Sequence, residues 1–365
     1  MLSSRVADAV TGVEVSAYTI PTDAPESDGT LEWTSTTLVL VEVTAGDEVG
    51  LGWSYTAAAA AGLIRDVLEP VIRKGSALDV QRHNLAMRVA LRNVGATGLG
   101  AAAVSAVDVA LWDLKAKLLG IPVVALFGAV RDGVVVYGSG GFCSYSDGRL
   151  HEQLAGWRSE GITRAKIKVG REPERDPERV RIARDAIGDG ELYVDANGAF
   201  TVEQAVRLAL RFAEQDVTWF EEPVSSRDVT GLRLLRERLP DGMEVAAGEY
   251  AWTAADFREL IGAVDCLQAD ATRCGGITGL LTAAALAETY ELDLSGHTAP
   301  TIHAHALCAV ETARHLEWFH DHVRIERLLL DGFLEPVDGC VRPDRSRPGL
   351  GVEFRHADAA EYRVA

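Results

Sequence analysis

The chain has 365 residues, 47% of them hydrophobic, enough to bury a large core and to hold one barrel of about 250 residues beside a smaller domain. A formal net charge of −18 argues against nucleic acid or an anionic membrane as partner, because both need basic surface, and no run approaches a membrane span. Five cysteines without paired spacing read as reduced, mostly buried thiols of a cytoplasmic protein, and the start Met1-Leu2-Ser3-Ser4-Arg5 carries no apolar leader core.

Residues 13–20 and 36–43 read as neighbouring strands. The connecting segment 21–35, with Pro, Asp, Gly and a lone Trp33, is too long for a tight hairpin, and loops of that length are lids or solvated excursions. Ala45-Gly46-Asp47-Glu48 is a hairpin turn. Helical apolar spacing follows over 57–74, 78–92 and 101–119, the last stopping at Gly120 with Pro122 just beyond. Strands followed by helices describe an α+β module that closes near Gly128.

From Val134 the pattern alternates. Strands at 134–138 and 165–169 flank a helix at 150–160, and Asp176 is placed to cap a helix at 177–187. Short apolar runs then end in polar residues. Glu191-Leu192-Tyr193-Val194 leads into Asp195-Ala196-Asn197, and Val217-Thr218-Trp219-Phe220 into Glu221-Glu222-Pro223. Later runs lead into Glu249, Asp270 and His297, with helices predicted at 201–215, 229–238, 253–261 and 275–290 between them. A helix at 301–313 follows, and His315-Leu316-Glu317-Trp318 reads as the last strand end. The polar endpoints recur at intervals of roughly 21 to 28 residues, what one strand, one helix and two short loops consume. Such regular recurrence favours a closed barrel over an open doubly wound sheet, with the polar ends gathered on one rim. The loop-rich tail 328–365 is expected to pack back on the amino-terminal module.

Asp195, Glu221 and Glu249 come from consecutive strand ends and converge if the barrel closes. Carboxylates that close need a counter-cation, and hard oxygen ligands select Mg²⁺ or Mn²⁺ over zinc. Lys166 and Lys168 sit two apart on one strand, so both ammonium groups point into the ring, where each is expected to depress the other's pKa and bring a neutral lysine base within reach. Across the ring, a carboxylate at Asp270 would fix the tautomer of the His297 imidazole and raise its basicity. Two bases flanking one carbon, with a divalent ion between them, make a site for removing a proton α to a carboxylate. His303 and His305 point apart on a helix and read as structural or peripheral, Cys274 reads as a buried small residue, and Ser139-Gly140-Gly141-Phe142 is expected at the pocket wall.

These residues resemble the enolase superfamily, in its mandelate racemase-like subgroup (the mandelate racemase/muconate lactonizing enzyme family). The resemblance runs through Ala106-Val107-Asp108-Val109-Ala110-Leu111-Trp112-Asp113-Leu114-Lys115 and the Lys-x-Lys, Asp-x-Asn, Glu-Glu-Pro and Gly-Glu strand ends. It includes Asp270-Ala271-Thr272-Arg273-Cys274-Gly275-Gly276. It implies an α/β fold: a modified (β/α)7β TIM-type barrel over 129–327, an α+β capping domain over 1–128 whose lid loop is about 21–35, and the C-terminal segment 328–365. Mg²⁺, or Mn²⁺, would be bound by Asp195, Glu221 rather than Glu222, and Glu249. Lys168 would be one base, Lys166 would neutralise the substrate carboxylate, and His297, oriented by Asp270, would be the opposite acid/base. Glu317 would hydrogen-bond a carboxylate oxygen or the developing enediolate, with Asn197, Trp33 and Ser139 as further substrate-binding candidates. Arg273 stands where the family often has Lys, and Ala116-Lys117 and Gly128-Ala129 replace the usual Gly-Lys and Gly-Gly pairs. The expected reaction is dehydration of an acid sugar, an aldonate or aldarate, to a 2-keto-3-deoxy acid, with racemisation, epimerisation or cycloisomerisation of a 2-hydroxy acid or related carboxylate as the alternative. The expected assembly is a homo-oligomer, a dimer or an octamer.

Overall fold

The first three strands, β1 (Val10–Ser27), β2 (Glu32–Ala45) and β3 (Glu48–Tyr55), form an antiparallel sheet in the order β1-β2-β3. The computed structural model describes residues 8–365, and the Met1–Arg5 start lies outside them. Ala45 pairs with Glu48 across the turn read from the sequence.

The segment 21–35 differs from the expected loop. Pro21 pairs with Ser35, Glu26 with Trp33 and Ser27 with Glu32, so the sheet runs on as a two-stranded ribbon, bulged where Pro25 cannot donate to the ladder. Its tip is a turn closed by Asp28, whose Oδ1 accepts from Thr30 N (2.6 Å), Thr30 Oγ1 (3.0 Å) and Leu31 N (2.7 Å). Alternation across the bulge buries Glu26 completely. Glu26 accepts from Trp33 Nε1 (2.9 Å), and burial beside Asp321 pushes its carboxyl up to about 8 from 4.5. A raised carboxyl pKa contributes stability that is complete below the unfolded value and lost as pH rises through the folded one. Glu26→Gln is therefore expected to raise the thermal unfolding midpoint at pH 9, by on the order of a few kcal/mol of stability, and to change it little at pH 5. Equal shifts at both pH values in paired melts would contradict this account.

Helices α1 (Ala59–Leu63) and α2 (Glu69–Ile72) are joined by a π-helical turn at Ile64–Leu68 rather than running on as one helix. Pro70 has no N–H to return to Asp66, and the wider turn before it absorbs the lost bond. After α3 (Val80–Ala90) comes α4 (Leu99–Leu119), which stops at Gly120 in the left-handed conformation (φ +68°). α4 is apolar almost all round because it lies between the sheet and the barrel. Its polar residues are clamps: Asp113 accepts from Leu51 N and Leu350 N, Asp108 from Thr278 and Asn84, and Ser105 Oγ from Gly275 N and Gly276 N. A short α5 (Val123–Phe127) closes the module.

Seven strand–helix units and a final strand then close on themselves. They are β4 (Val134–Gly140), α6 (Asp147–Ser159), β5 (Arg164–Lys168), α7 (Asp176–Ile187), β6 (Glu191–Asp195), α8 (Val202–Ala213), β7 (Val217–Glu221), α9 (Val229–Arg238), β8 (Glu244–Ala247), α10 (Ala254–Leu260), β9 (Cys266–Ala269), α11 (Gly276–Thr289), β10 (Asp293–Gly296), α12 (Pro300–Leu307) and β11 (Ala313–Phe319). All eight strands are parallel, and Leu316–Phe319 of β11 pair with Val136–Ser139 of β4 to shut the ring. Asp176 does not cap α7 as expected: it begins the helix, and its Oδ2 instead accepts from Gly170 N (2.8 Å). After α13 (His320–Leu329), the tail holds β12 (Leu330–Asp331), β13 (Cys340–Val341), β14 (Glu353–Phe354) and α14 (His356–Ala359). β13 adds antiparallel to barrel strand β4, while Ala365 O and Val364 N bond Ala17 of β1 (3.0 and 2.8 Å), so the tail touches both units. The five cysteines are free, and among the described residues no helix is long and apolar enough to cross a membrane.

Candidate active site

Side chains two apart on a barrel strand face the same way, and that period stacks the interior in layers. Tyr137, Tyr193, Trp219 and His315 pack edge-on and tilted against one another in one layer. Two residues further along the same strands come Ser139, Asp195, Glu221 and Glu317, a layer made almost wholly of polar groups. Lys166 spans the two, its Nζ 5.3 Å from the centre of the Tyr137 ring. The aromatic floor excludes water from beneath, so every charge above it is buried and must find its partner among its neighbours.

The partners are close. Lys166 Nζ lies 2.6 Å from Glu221 Oε1, 2.8 Å from Glu317 Oε1 and 3.6 Å from Asp195 Oδ2. Lys168 Nζ lies 2.5 Å from Asp195 Oδ2. Burial favours the neutral form of both lysines, but these carboxylates overcome it and raise both pKa values. The expected mutual depression exists, since Lys166 lowers Lys168, yet Asp195 outweighs it. His297 Nδ1 is 2.8 Å from Asp270 Oδ2, and its Nε2 is 2.7 Å from Glu249 Oε2 and 3.5 Å from Glu317 Oε2. Against the effect of burial, Glu249, Glu317 and Asp270 push His297 up to about 10, while the pairing with His297 and Arg273 holds Asp270 below its ordinary value although it is buried. Asp270 is fixed from behind, its Oδ1 accepting from Thr272 N (2.6 Å) and Thr272 Oγ1 (2.7 Å).

Oxygens of Asp195, Glu221 and Glu249 all lie within 4.8 Å of one another, and all three residues are buried. Burial, with Asp195 and Glu317 nearby, pushes Glu221 up to about 7 even though Lys166 opposes the shift. Five buried carboxylates, Asp195, Glu221, Glu249, Asp270 and Glu317, face Lys166, Lys168, His297 and Arg273 at this rim, and three of them converge, so the residues present fit a hard divalent ion. Glu222 stands outside the triad, lining a neighbouring cavity with a left-handed backbone (φ +36°). Asp23, Glu26 and His320 form a second close group under the ribbon, but Asp23 is already paired with Arg149 (3.1 Å) and His320 (3.2 Å).

Above the rim is a cavity of about 360 Å³, walled by Lys168, Asn197, Glu249, Arg273, His297 and Glu317 from the barrel. Trp33, Thr36, Thr37 and Tyr55 wall it from the sheet. Lys166 and Ser139 are fully buried behind that wall. Ser139, expected to touch substrate, donates to Glu317 Oε1 (2.6 Å) instead and braces it, while Thr298 N donates to Glu317 Oε2 (3.2 Å). Asn197 N donates to Asp195 Oδ1 (2.8 Å). His303 accepts from Ala271 N (2.8 Å) and His305 bonds Val124 N and Leu350 O, the structural roles read from their spacing. Sequence reasoning missed Asp28, Thr36, Thr37, Tyr250 and His322 as wall residues. Asp28 stood inside the segment expected as lid and Tyr250 next to Glu249, while the other three carried no local signal.

The ribbon tip reaches the rim at Gly29. A Cβ there would meet Val169 O at 2.6 Å and Ala196 O at 2.7 Å, backbone atoms that cannot give way. Gly29→Ala is expected to lift the tip from the strand ends, lowering kcat/KM at least tenfold with little loss of thermal stability. Wild-type kinetics in that variant would mean that tip seating does not matter.

Residues 14–128 match the mandelate racemase / muconate lactonizing enzyme N-terminal domain, and residues 149–359 match the enolase C-terminal domain-like family. The crystal structure of a mandelate racemase/muconate lactonizing enzyme-like protein from Rubrobacter xylanophilus is 53% identical, covers 98% of this chain and 100% of its own, and superposes with a TM-score of 0.96. The 3,6-anhydro-alpha-L-galactonate cycloisomerase of Streptomyces coelicolor is 32% identical over 328 residues, 87% of this chain and 89% of that one. The L-talarate/galactarate dehydratase of Salmonella typhimurium is 29% identical over 350 residues, 90% of this chain and 87% of that one. Its crystal structure liganded with Mg and L-lyxarohydroxamate superposes with a TM-score of 0.90 at 28% identity, covering 100% of this chain and 95% of that chain.

Proposed function

We propose, from the premise that this chain belongs to the mandelate racemase/muconate lactonizing enzyme family of the enolase superfamily, that it dehydrates an acid sugar to a 2-keto-3-deoxy acid. One observation carries the reading: Lys168 on β5 and His297 after β10, the latter braced from behind by Asp270, face a single cavity that Glu249 of the carboxylate triad also lines. Two proton-transfer groups on separate walls suit a reaction that removes a proton from one carbon and adds one to a group leaving the next.

Mg²⁺ held by Asp195, Glu221 and Glu249 would supply Lewis-acid withdrawal of charge from the substrate carboxylate. Lys166, buried between Glu221 and Glu317, places positive charge under that carboxylate and counters the charge that builds when the α-proton leaves. Lys168 takes the α-proton, which it can do only with Asp195 engaged elsewhere, because the Asp195 bond holds the lysine protonated. His297 is kept protonated by Asp270 and its other carboxylate neighbours, so it has a proton to deliver to the departing β-hydroxyl. Against the effect of burial, Lys166 and His297 hold Glu317 below its ordinary carboxyl pKa, so it serves as the acceptor that keeps those two cations in place beside the substrate carboxylate. The enol that results then tautomerises to the 2-keto acid.

The dehydratase among the relatives supports this reading, and the cycloisomerase supports a second that begins with the same proton abstraction. Proton NMR of open-chain acid sugars in D₂O, which have no ring for a cycloisomerase to open, separates them. Loss of the α-proton signal together with a new methylene is expected, whereas exchange without a methylene would assign isomerase chemistry and sink the dehydratase reading.

A further inference from the structure

The side of the cavity contributed by the amino-terminal sheet and its ribbon is formed by Asp28, Trp33, Thr36, Thr37, Tyr55 and Thr56, with Gly29 beside Asp28 resting on the strand ends at Val169 O and Ala196 O. It is rich in hydroxyls and carries one carboxylate. Asp28 is 8% exposed, and its Oδ1 is taken up by the three hydrogen bonds that shape the ribbon tip, which leaves Oδ2 as its free acceptor. Trp33 spends its N–H on Glu26 and lines the same space.

The cations that reach the cavity are committed at its barrel end. Lys168 and His297 belong to the proton-transfer groups. Arg273 lies between Asp270 (3.4 Å) and Glu249 (3.6 Å), with its guanidinium 5.2 Å from the centre of the Tyr250 ring. His322 stacks on Tyr55 with ring centres 3.4 Å apart, and burial holds its pKa well below the ordinary histidine value, so it brings no charge. A ligand carboxylate against these sheet residues would therefore meet Asp28 and hydroxyls, with no free cation among them, and would enter against the field of a chain of net charge −18. A polyhydroxylated tail would find acceptors and donors along the same wall.

We infer that the substrate is an acid sugar with a single carboxylate, an aldonate type, and that Asp28 selects its neutral hydroxylated end against the second carboxylate of an aldarate. This rests on the proposed dehydration. The Asp28 carboxylate discriminates twice, by accepting from a terminal hydroxyl and by repelling an anion placed there.

The test measures kcat/KM for the Mg²⁺-loaded protein on matched pairs of acid sugars that share configuration at every carbinol carbon and differ only in a terminal CH₂OH or carboxylate. At least a tenfold preference for the monoacid is expected within the best pair, and Asp28→Asn, which retains the Oδ1 acceptor of the turn, is expected to narrow that preference about tenfold by raising turnover of the diacid. Equal or better turnover of diacids by the wild-type protein would overturn the inference and leave dehydration standing. Elimination from neither member of any pair would overturn the proposed function itself, and the inference with it.

Discussion

Lys168→Ala is expected to abolish both exchange of the substrate α-proton and elimination, whereas His297→Asn abolishes elimination and leaves exchange running. Each loss should be roughly 10²- to 10⁴-fold in kcat, the usual contribution of a positioned acid or base. The asymmetry follows from the walls on which the two groups stand. Lys168 comes from β5 and His297 follows β10, with β11 and β4 between them, so neither can cover for the other. His297→Asn retains a hydrogen-bonding side chain for Asp270 but no transferable proton. Deuterium incorporation at Cα and formation of the methylene, followed in one NMR time course, read the two steps separately. If His297→Asn eliminates at the wild-type rate, the leaving-group role assigned to His297 is wrong, and if Lys168→Ala still exchanges, another base removes the proton.

Chelation is the second large effect. EDTA is expected to reduce turnover by about 10³-fold or more, in keeping with the several kcal/mol that a Lewis acid contributes to charge stabilisation, and Mg²⁺ or Mn²⁺ should restore it. The structural reason is the charge imbalance at the rim, where Glu221 is pushed up to about 7 by burial beside Asp195 and Glu317. Cation binding relieves that crowding, so Mg²⁺ should also raise the thermal unfolding midpoint, and the rise should grow with the logarithm of its concentration once the site fills. Glu221→Gln should lose most of that Mg²⁺-dependent shift. Full activity in EDTA, with borohydride trapping of substrate on Lys168, would replace this chemistry with a Schiff base.

Much of this site was legible before the fold was known, because barrel strands carry their chemistry where an apolar run stops. Asp195, Glu221, Asp270 and His297 each end such a run, and the period of the runs placed them on one rim. The Lys166–Lys168 spacing announced a shared face for the same reason. Their protonation was not legible, since it depends on Asp195, Glu221 and Glu317, which arrive from other strands at distances no spacing encodes. Segment 21–35 was misread as a loop because two prolines, Asp and Gly mask a strand pairing that tolerates a bulge at Pro25. Ser139 was placed at the wall by its position after a strand, and only the closing pair β4–β11 shows that it lies behind Glu317. Of the wall from the amino-terminal sheet, the lid segment with Trp33 was anticipated by resemblance, whereas Thr36 and Thr37 are ordinary strand residues until a barrel is set beneath them.

Ser139 and Glu317 are 178 positions apart and joined at 2.6 Å, one on the first stave of the ring and the other on the last. A chain emerging from the ribosome would therefore hold Lys166, Asp195 and Glu221 in place long before Glu317 could arrive to share Lys166. Contacts of such long sequence separation form late, after their loop-closure entropy has been met. Catalytic competence then becomes a clock for ring closure: in refolding from denaturant, recovery of turnover should lag recovery of helical circular dichroism, and the length of that lag measures how long the open barrel persists.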